Sequence, residues 1–270
     1  MNVGQLIRAW LLGPLVLLGA LLLAGKIAPE PNRRFAGAQV VAIGSSLTAH
    51  ALPESFTLSD GRTVHRIGIG IPSEDQLLTL LESGIDEDPR SIMLEVTPFI
   101  ADFAFARQQG CVAPAMELRQ HLRRVRVGMV DRLRRLIGLR VSLDGMAEPT
   151  DLYLPQRNEP AVMATLYPLT IHPPCQDQRL RQAIGRAEQL GIRVDLMLLP
   201  RSPLGGAALG AVQARQLQDQ ARALAASVGV DLLVPAAGWS NADFTDNAHL
   251  GAKGRVRFVK ILDAWLVGNE

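Results

Sequence analysis

Two short segments, about 200 residues apart, carry side chains that could perform nucleophilic chemistry. The first, residues 44–48, reads Gly-Ser-Ser-Leu-Thr and follows an apolar run. The second, residues 243–250, reads Asp-Phe-Thr-Asp-Asn-Ala-His-Leu and lies near the end of the chain. A serine hydroxyl becomes a useful nucleophile when a neighbouring base removes its proton. The two segments therefore predict a Ser/His/Asp site for ester chemistry.

The base in this prediction is His249, with Asp246 orienting its ring and stabilising the imidazolium. Of the five histidines, only His249 combines Asp-x-x-His spacing with a helix that starts directly behind it. The glycine at 44 is expected to leave a serine hydroxyl exposed at a strand-to-helix turn, beside free backbone N–H groups. A serine here could instead cap the first helix, so this alternative stays open.

Alternating strands and helices are predicted to position these segments. Continuous apolar runs without alternation are typical of parallel strands that are covered on both faces. The predicted strands are Ala38–Ile43, Thr63–Ile69, Ser91–Val96, Val194–Leu199 and Asp231–Val234. The predicted helices are Ser73–Glu82, Asp177–Leu190, Ala211–Val228 and Gly251–Leu266. The pattern predicts a three-layer α/β/α, doubly wound parallel sheet, whose sites lie at the carboxyl ends of the strands.

The middle of the chain interrupts this pattern. Residues 100–175 show no clear strand, and a long basic helix is predicted from about Ala115 to Val141. We interpret the region as a helical insertion into the domain. Its arginines could contact anionic lipid, an acidic polymer or a membrane partner, or they could simply be solvated. Arg201, after the fourth strand, could likewise contact an anionic or sugar substrate or lie free in a loop.

The N-terminus reads as a membrane anchor. Residues 9–25 contain no charge over 17 positions, which is near the lower limit for a spanning helix. A cleaved signal is the alternative. We expect an anchor or signal at 1–25, a tether at 26–36 and a globular domain at 37–270. That domain would lie on the periplasmic or extracellular side of a bacterial cytoplasmic membrane.

The amino-acid composition limits which other classes of protein and partner are possible. Nearly half of the residues, 48%, are hydrophobic, so a sizeable core is available. A net charge of +2 is too small to indicate a nucleic-acid partner. The two cysteines, Cys111 and Cys175, could pair in an oxidising compartment or could be unrelated buried thiols. Their spacing matches no metal site, and we expect neither a metal nor a cofactor.

The two end segments resemble the first and last sequence blocks of the SGNH/GDSL hydrolases, with Ser45 in place of the usual aspartate. The tail Asp246-x-x-His249-Leu250-Gly251-x-Lys253-Gly254 is similar to that of membrane-anchored O-acyl-transfer members, such as the teichoic-acid D-alanylation protein. The resemblance implies that Ser46 is the nucleophile, His249 the base and Asp246 its partner. Ser45 is the alternative nucleophile.

The second and third sequence blocks match the family pattern less closely than the two end blocks do. An oxyanion glycine is implied within residues 66–72, and Gly70 is our choice. Where the family has Gly-x-Asn-Asp, this chain has Glu95-Val96-Thr97-Pro98, so an oxyanion asparagine is missing and Thr97 is its candidate substitute. Loss of such a donor typically costs about 10²–10³ in rate. This departure favours acyl transfer over efficient general hydrolysis.

The resulting expectation is serine-dependent transfer or hydrolysis of an O-acyl group, most simply acetyl, on a cell-envelope or exported polysaccharide. A multispanning O-acyltransferase is the expected membrane partner. The alternative is an inactive SGNH-fold scaffold or binding subunit of a polysaccharide export or modification complex.

Overall fold

The computed structural model describes residues 38–70, 72–102 and 158–269 of the chain. These residues belong to the compact unit Gly37–Glu270. Within them, no helix has both the length and the apolar character needed to cross a bilayer.

Several predictions fall outside the described residues. They are the anchor at 1–25, the tether at 26–36, the basic helix Ala115–Val141 and Cys111, and they stay predictions. Cys175 is described, and it is disulfide-bonded.

Within the described residues, eight strands form two sheets. In chain order they are β1 (Val40–Gly44), β2 (Ser55–Thr57), β3 (Thr63–Gly68), β4 (Ser91–Glu95), β5 (Ala101–Asp102), β6 (Thr170–Ile171), β7 (Arg193–Met197) and β8 (Leu232–Leu233). The main sheet has the order β2-β3-β1-β4-β7-β8. Only β2 runs antiparallel to its neighbour in this sheet, and β5 pairs with β6 in a separate antiparallel ribbon.

Seven α-helices are described between and after the strands. They are α1 (Ser46–Ala51), α2 (Glu74–Asp86), α3 (Thr97–Ile100), α4 (Pro160–Leu166), α5 (Asp177–Gln189), α6 (Pro203–Val228) and α7 (Ala252–Gly268). Ser73 caps α2, and the Gln76 side chain returns a bond to the Ser73 N–H, which is the capping box that the sequence predicted.

The strand order places the candidate site at a reversal in the sheet. The five parallel strands, taken in chain order, are arranged 2-1-3-4-5, which is a doubly wound arrangement. The chain leaves β1 towards β3 and then returns to β4 on the other side. The carboxyl ends of β1 and β4 therefore flank the crevice where such folds bind ligands.

Both faces of the central strand are covered. Val40 and Ala42 pack in one apolar cluster with Phe258 of α7. On the other face, Ile43 and Ile92 approach Gly84 of α2. Neighbouring residues of a strand point to opposite faces, so this arrangement explains why β1 is apolar at consecutive positions. The predicted α/β fold with a mainly parallel sheet is confirmed.

Two features of the elements are not predicted by the sequence. The segment 100–175 shows no clear strand in the sequence, but β5 and β6 lie at its ends. Each is only two residues long, too short to give a hydrophobic pattern. The predicted helix Ala211–Val228 forms the part of α6 that follows Gly210, but a preceding stretch from Pro203 was not predicted; Ser202 caps it by accepting the Gly205 N–H. Its path is interrupted at Gly210, which has a φ of 78°.

Candidate active site

Ser46 occupies the first position of α1, directly after β1. The backbone bends sharply there because Gly44 ends the strand against two side chains. A Cβ on Gly44 would overlap the Thr48 hydroxyl and would come within 2.5 Å of Glu95 Oε2. Only glycine therefore lets β1 pass so close to the start of α1. This tight turn places the Ser46 side chain, which is partly exposed, at the carboxyl edge of the sheet.

His249 and Asp246 lie in a loop that is closed by a bridge between Phe244 and Leu250. The carboxyl oxygen Oδ1 of Asp246 accepts the backbone N–H groups of Ala248 and His249, at 2.9 and 2.8 Å. The ring of His249 is held by the same carboxyl group, with Nδ1 2.8 Å from Oδ2. The Asp-x-x-His spacing thus makes a small turn around one buried carboxylate.

The structure brings Ser46, His249 and Asp246 into one hydrogen-bonded chain. The Nε2 atom of His249 lies 3.0 Å from the Ser46 hydroxyl. Because Asp246 accepts a hydrogen bond from Nδ1–H, the neutral ring has its lone pair on Nε2, where the Ser46 hydroxyl can donate. These three side chains therefore have the geometry of a nucleophile, its base and the group that orients the base.

Asp246 is held in its charged form. Burial alone would raise the pKa of this carboxyl, whose side chain is only 2% exposed. The hydrogen bond and charge of His249, together with the backbone N–H groups of His249 and Ala248, outweigh burial and hold the pKa well below its usual range. A charged Asp246 can stabilise an imidazolium at His249.

A second histidine packs against the base. The ring of His50, at the end of α1, lies 4.4 Å from that of His249 between centroids, with the planes tilted by 44°. This contact covers one side of the His249 ring. It leaves the Nε2 atom directed at Ser46.

An open depression lies beside Ser46, with about 410 Å³ of space when the adjoining solvent is included. Gly70, Thr97, Ser45 and Ser46 all line it, so the structure brings the predicted oxyanion residues to the nucleophile. Apolar side chains form much of the rest of the wall; they are those of Leu47, Pro72, Pro98 and Ala101.

The backbone donors at this site are unevenly available. The Ser46 N–H donates to the Gly70 carbonyl at 2.9 Å, so it is already engaged. The Gly70 N–H makes no hydrogen bond within the described residues, and Gly70 is exposed. Gly70 and the buried Thr97 thus stay the candidate donors to an oxyanion.

Ser45 has a different environment from Ser46. It is only 7% exposed, it is the N-cap of α1, and its side chain accepts the Leu47 N–H at 3.0 Å. Its hydroxyl lies 2.8 Å from both oxygens of Glu95 and donates to that group. The capping interpretation therefore applies to Ser45, whereas Ser46 is the serine that meets the base.

Arg201 is not among the residues that line the depression. Its Nη1 lies 3.4 Å from the Tyr167 hydroxyl, and its exposure is intermediate. The neighbouring Ser202 has a clearer role, because its buried hydroxyl donates to the Asn247 carbonyl at 2.6 Å. That bond ties the start of α6 to the loop that carries Asp246 and His249.

Sequence reasoning missed Glu95. It ends the buried strand β4, has 0% exposure and receives hydrogen bonds from Ser45 and Thr48. The signal was present, since an acidic residue closing an apolar run of a central strand must find buried donors. In the described part of the chain, no group of three or more His, Cys, Asp or Glu side chains could hold a metal ion.

Comparison with known proteins gives matches among solved structures only; no family model and no curated protein matches the chain. A Bacteroides fragilis protein described as an acylhydrolase is 14% identical, with a TM-score of 0.46, over 89% of this chain and 98% of its own. An acetylxylan esterase variant from Geobacillus stearothermophilus is 12% identical, with a TM-score of 0.46, over 87% and 96%.

A GDSL-like lipase from Bacteroides thetaiotaomicron is 12% identical, with a TM-score of 0.40, over 93% of this chain and 95% of its own. The matched structures thus include members of the group whose sequence blocks this chain resembles. Identities this low, with TM-scores below 0.5, establish no activity, so the chemistry assigned to this chain rests on its own residues.

Proposed function

We propose that this protein is a serine-dependent enzyme that transfers or hydrolyses O-acyl groups. The observation that carries the proposal is the chain of contacts from Ser46 to His249 and on to Asp246, with distances of 3.0 and 2.8 Å. These residues come from opposite ends of a domain, and their side chains have few reasons to converge at a sheet edge other than proton transfer. Nucleophile, base and orienting group are all within hydrogen-bond reach.

The reaction follows from this arrangement. Ser46 Oγ attacks the acyl carbonyl while His249 Nε2 takes its proton, and the charged Asp246 stabilises the imidazolium. The carbonyl oxygen becomes an oxyanion, for which Gly70 and Thr97 are the proposed donors. When the bond to the leaving alkoxide breaks, His249 returns the proton to that oxygen. An acyl ester of Ser46 is left behind.

The second half of the reaction, in which the acyl-enzyme is resolved, decides between two activities. If a sugar hydroxyl attacks the acyl-enzyme, with His249 as base, the protein is a transferase; if water attacks, it is an esterase. We favour transfer, because one backbone donor at the nucleophile is already engaged and threonine replaces the asparagine of the resembled hydrolases. A reduced oxyanion site slows general hydrolysis of esters in water.

The proposed substrate is a cell-envelope or exported polysaccharide bearing small acyl groups, most simply acetyl. The short apolar wall beside Ser46 favours a small acyl group over a long chain. The uncharged segment at 9–25 supports a location at the outer face of a bacterial cytoplasmic membrane. There a multispanning O-acyltransferase could supply the acyl group, and Arg201 could contact the glycan.

One observation favours a second candidate function, that of a non-catalytic scaffold in a polysaccharide export or modification complex. The Gly70 carbonyl accepts the N–H of Ser46, and this contact opposes oxyanion binding at that atom. In a scaffold, the same contact would only stabilise the turn.

Trapping of the acyl-enzyme separates the two candidates. Wild type, Ser46→Ala and His249→Ala are incubated with a fluorophosphonate or an activated acetyl ester, and intact mass is measured. Ser83→Ala is the matched control, since Ser83 is an exposed serine of α2. We expect one adduct on wild type and on the control, none on Ser46→Ala, and much slower labelling of His249→Ala.

The absence of any wild-type adduct would favour the scaffold. Equal labelling of His249→Ala would show that another group is the base. To decide the acceptor, wild type is given the acetyl ester with and without oligosaccharide. Acetylated sugar indicates transfer, whereas acetate alone indicates hydrolysis.

A further inference from the structure

A completely buried carboxyl group lies directly beneath the nucleophile. Glu95 ends β4, and its residue exposure is 0%. Its oxygen Oε2 accepts the Ser45 N–H at 2.7 Å and the Thr48 hydroxyl at 2.7 Å. The Ser45 hydroxyl donates to the same carboxyl group at 2.8 Å. Two residues of the first turn of α1 are thus bound to one side chain of a neighbouring strand.

The burial of this carboxyl group lowers the stability of the fold unless its contacts offset the cost in free energy. Removing a carboxyl group from water costs free energy that hydrogen bonds recover only in part. Within the described residues Glu95 has no arginine, lysine or histidine partner, and its donors are one backbone N–H and two hydroxyls. An apolar side chain of similar size would fill the same space at the end of β4 without that cost.

The contacts fix the residues on either side of Ser46. Ser45 immediately precedes Ser46, and Thr48 lies on the same helical turn. Gly44 is required for this approach, since any Cβ there would collide with Thr48 and Glu95. Because Ser46 is joined to anchored residues, the direction of its Cα–Cβ bond is set by Glu95 through the backbone.

We infer that Glu95 is a positioning residue, which holds the Ser46 hydroxyl at hydrogen-bond distance from His249. The inference rests on the proposed function of Ser46 as nucleophile. Glu95 acts through Ser45 and Thr48 and takes no part in bond making. Its loss is expected to let the first turn of α1 shift, and a misplacement of about 1 Å at a reacting atom can cost about 10² in rate.

The test compares Glu95→Ala and Glu95→Gln with a control of matched burial. Asp195→Asn serves as control, because Asp195 is a 2% exposed carboxyl group on the adjacent strand β7 that bonds Arg193 and Trp265 instead. We would measure kcat and KM for an activated acetyl ester, the pH profile of kcat/KM, and the folded fraction at the assay temperature.

We expect roughly a 10²-fold loss of kcat in Glu95→Ala and roughly tenfold in Glu95→Gln, with KM unchanged within about twofold. Glutamine retains one acceptor oxygen, so its effect should be smaller. The pH profile should keep its shape, because His249 and Asp246 are untouched. Asp195→Asn should lose stability but keep its kcat.

A wild-type kcat in folded Glu95→Ala would overturn the inference, as would an equal loss in folded Asp195→Asn. Crystal structures of wild type and Glu95→Ala provide a readout that needs no activity. The distance from Ser46 Oγ to His249 Nε2 should exceed 3.5 Å in the variant. If wild type proves inactive, the proposed function fails, whereas an unchanged distance in the variant would reject the positioning role itself.

Discussion

At the scale of residues, the two adjacent serines Ser45 and Ser46 have different hydrogen-bond partners. The Ser45 hydroxyl points into the protein, where it caps α1 and bonds Glu95. The Ser46 hydroxyl lies towards His249. Residue type does not tell them apart, and only the resemblance to the first SGNH/GDSL block favoured Ser46. In the structure the buried carboxyl group of Glu95 binds the first hydroxyl, whereas the second lies within reach of His249.

Asp246→Asn should reduce the reaction rate by several orders of magnitude, towards about 10⁴-fold, while substrate binding changes little. An asparagine can present an N–H to Nδ1, and the neutral ring would then carry its proton on Nε2, where it cannot accept from Ser46. The check is the kcat of the variant on an activated acetyl ester. A loss below about tenfold would show that Asp246 does not orient the base.

The same carboxyl group should contribute a pH-dependent part of stability. The folded-state pKa of Asp246 is lowered, so its contribution is fully present above the unfolded-state value of about 3.9 and is lost as the pH falls towards the folded-state value. Urea unfolding of wild type and Asp246→Asn at pH 6, 4 and 3 provides the measurement. The difference in free energy of unfolding between the two proteins should shrink as the pH falls below about 4.

Parallel curves for wild type and Asp246→Asn over this range would contradict the assignment. All other carboxyl groups are shared by both proteins, so they cancel in the difference.

Thr97 should matter through its hydroxyl. If Thr97 donates to the oxyanion, Thr97→Val should lower kcat by roughly 10–10²-fold, and Thr97→Ser should restore most of it. Valine keeps the volume and the branched shape of threonine, which makes it the sharper test. Equal rates in the valine and serine variants would exclude the hydroxyl as a donor.

At the scale of elements, the site depends on two tight approaches of backbone to its surroundings. One is the turn from β1 to α1 at Gly44. The other is the contact between the start of α6 and the histidine loop, where a Cβ on Gly205 would overlap the Asn247 carbonyl. The first joins β1 to the segment that carries Ser46, and the second joins α6 to the loop that carries Asp246 and His249. Neither can tolerate added volume.

Gly44→Ala should therefore destabilise the fold by about 1–3 kcal/mol and reduce activity further, because Thr48 and Glu95 would have to move. The matched control is Gly185→Ala in α5, where an added Cβ meets nothing within 4 Å. The control should be neutral or stabilise the helix by up to about 1 kcal/mol. Thermal unfolding of both variants checks the prediction, and similar melting temperatures would refute it.

Much of this element pattern could be predicted from the sequence. Val40–Gly44 and Ser91–Glu95 are apolar without alternation because both of their faces are covered, and the Ser73–Gln76 box marked the start of α2. The edge strand β2 and the ribbon β5–β6 were not predicted, because two or three residues are too few to show a hydrophobic periodicity. The stretch of α6 before Gly210 was not predictable from propensity, because Gly205, Gly206 and Gly210 lower it, and only the Ser202 cap with Pro203 indicated its start.

The site was predictable in part, for a related reason. His249 and Asp246 are close in sequence, so their spacing carried the information. Glu95 is 50 positions from Ser45, and its role exists only once β4 lies beside β1. Long-range pairings of this kind leave little trace in one sequence beyond an unexpected acidic residue at the end of an apolar run.

At the scale of the whole molecule, the disulfide at Cys175 bears on the compartment in which the protein works. Disulfides persist in oxidising surroundings, and the proposed exported location provides them. Protein purified without reductant should gain the mass of two hydrogen atoms on reduction, measured by intact mass spectrometry. Purified protein that shows no such gain, and two reactive thiols instead, would weaken the case for export.

The distance between the two halves of the site along the chain has a consequence for biosynthesis. Ser46 is synthesised 203 residues before His249, and α7, which packs in the same apolar cluster as Leu47, follows His249. A growing or truncated chain thus exposes a serine that has no base. Under the proposed function, such a chain could not deprotonate Ser46 and would react only slowly with acyl esters, so the reactivity of the nucleophile depends on the closure of a contact between distant parts of the chain.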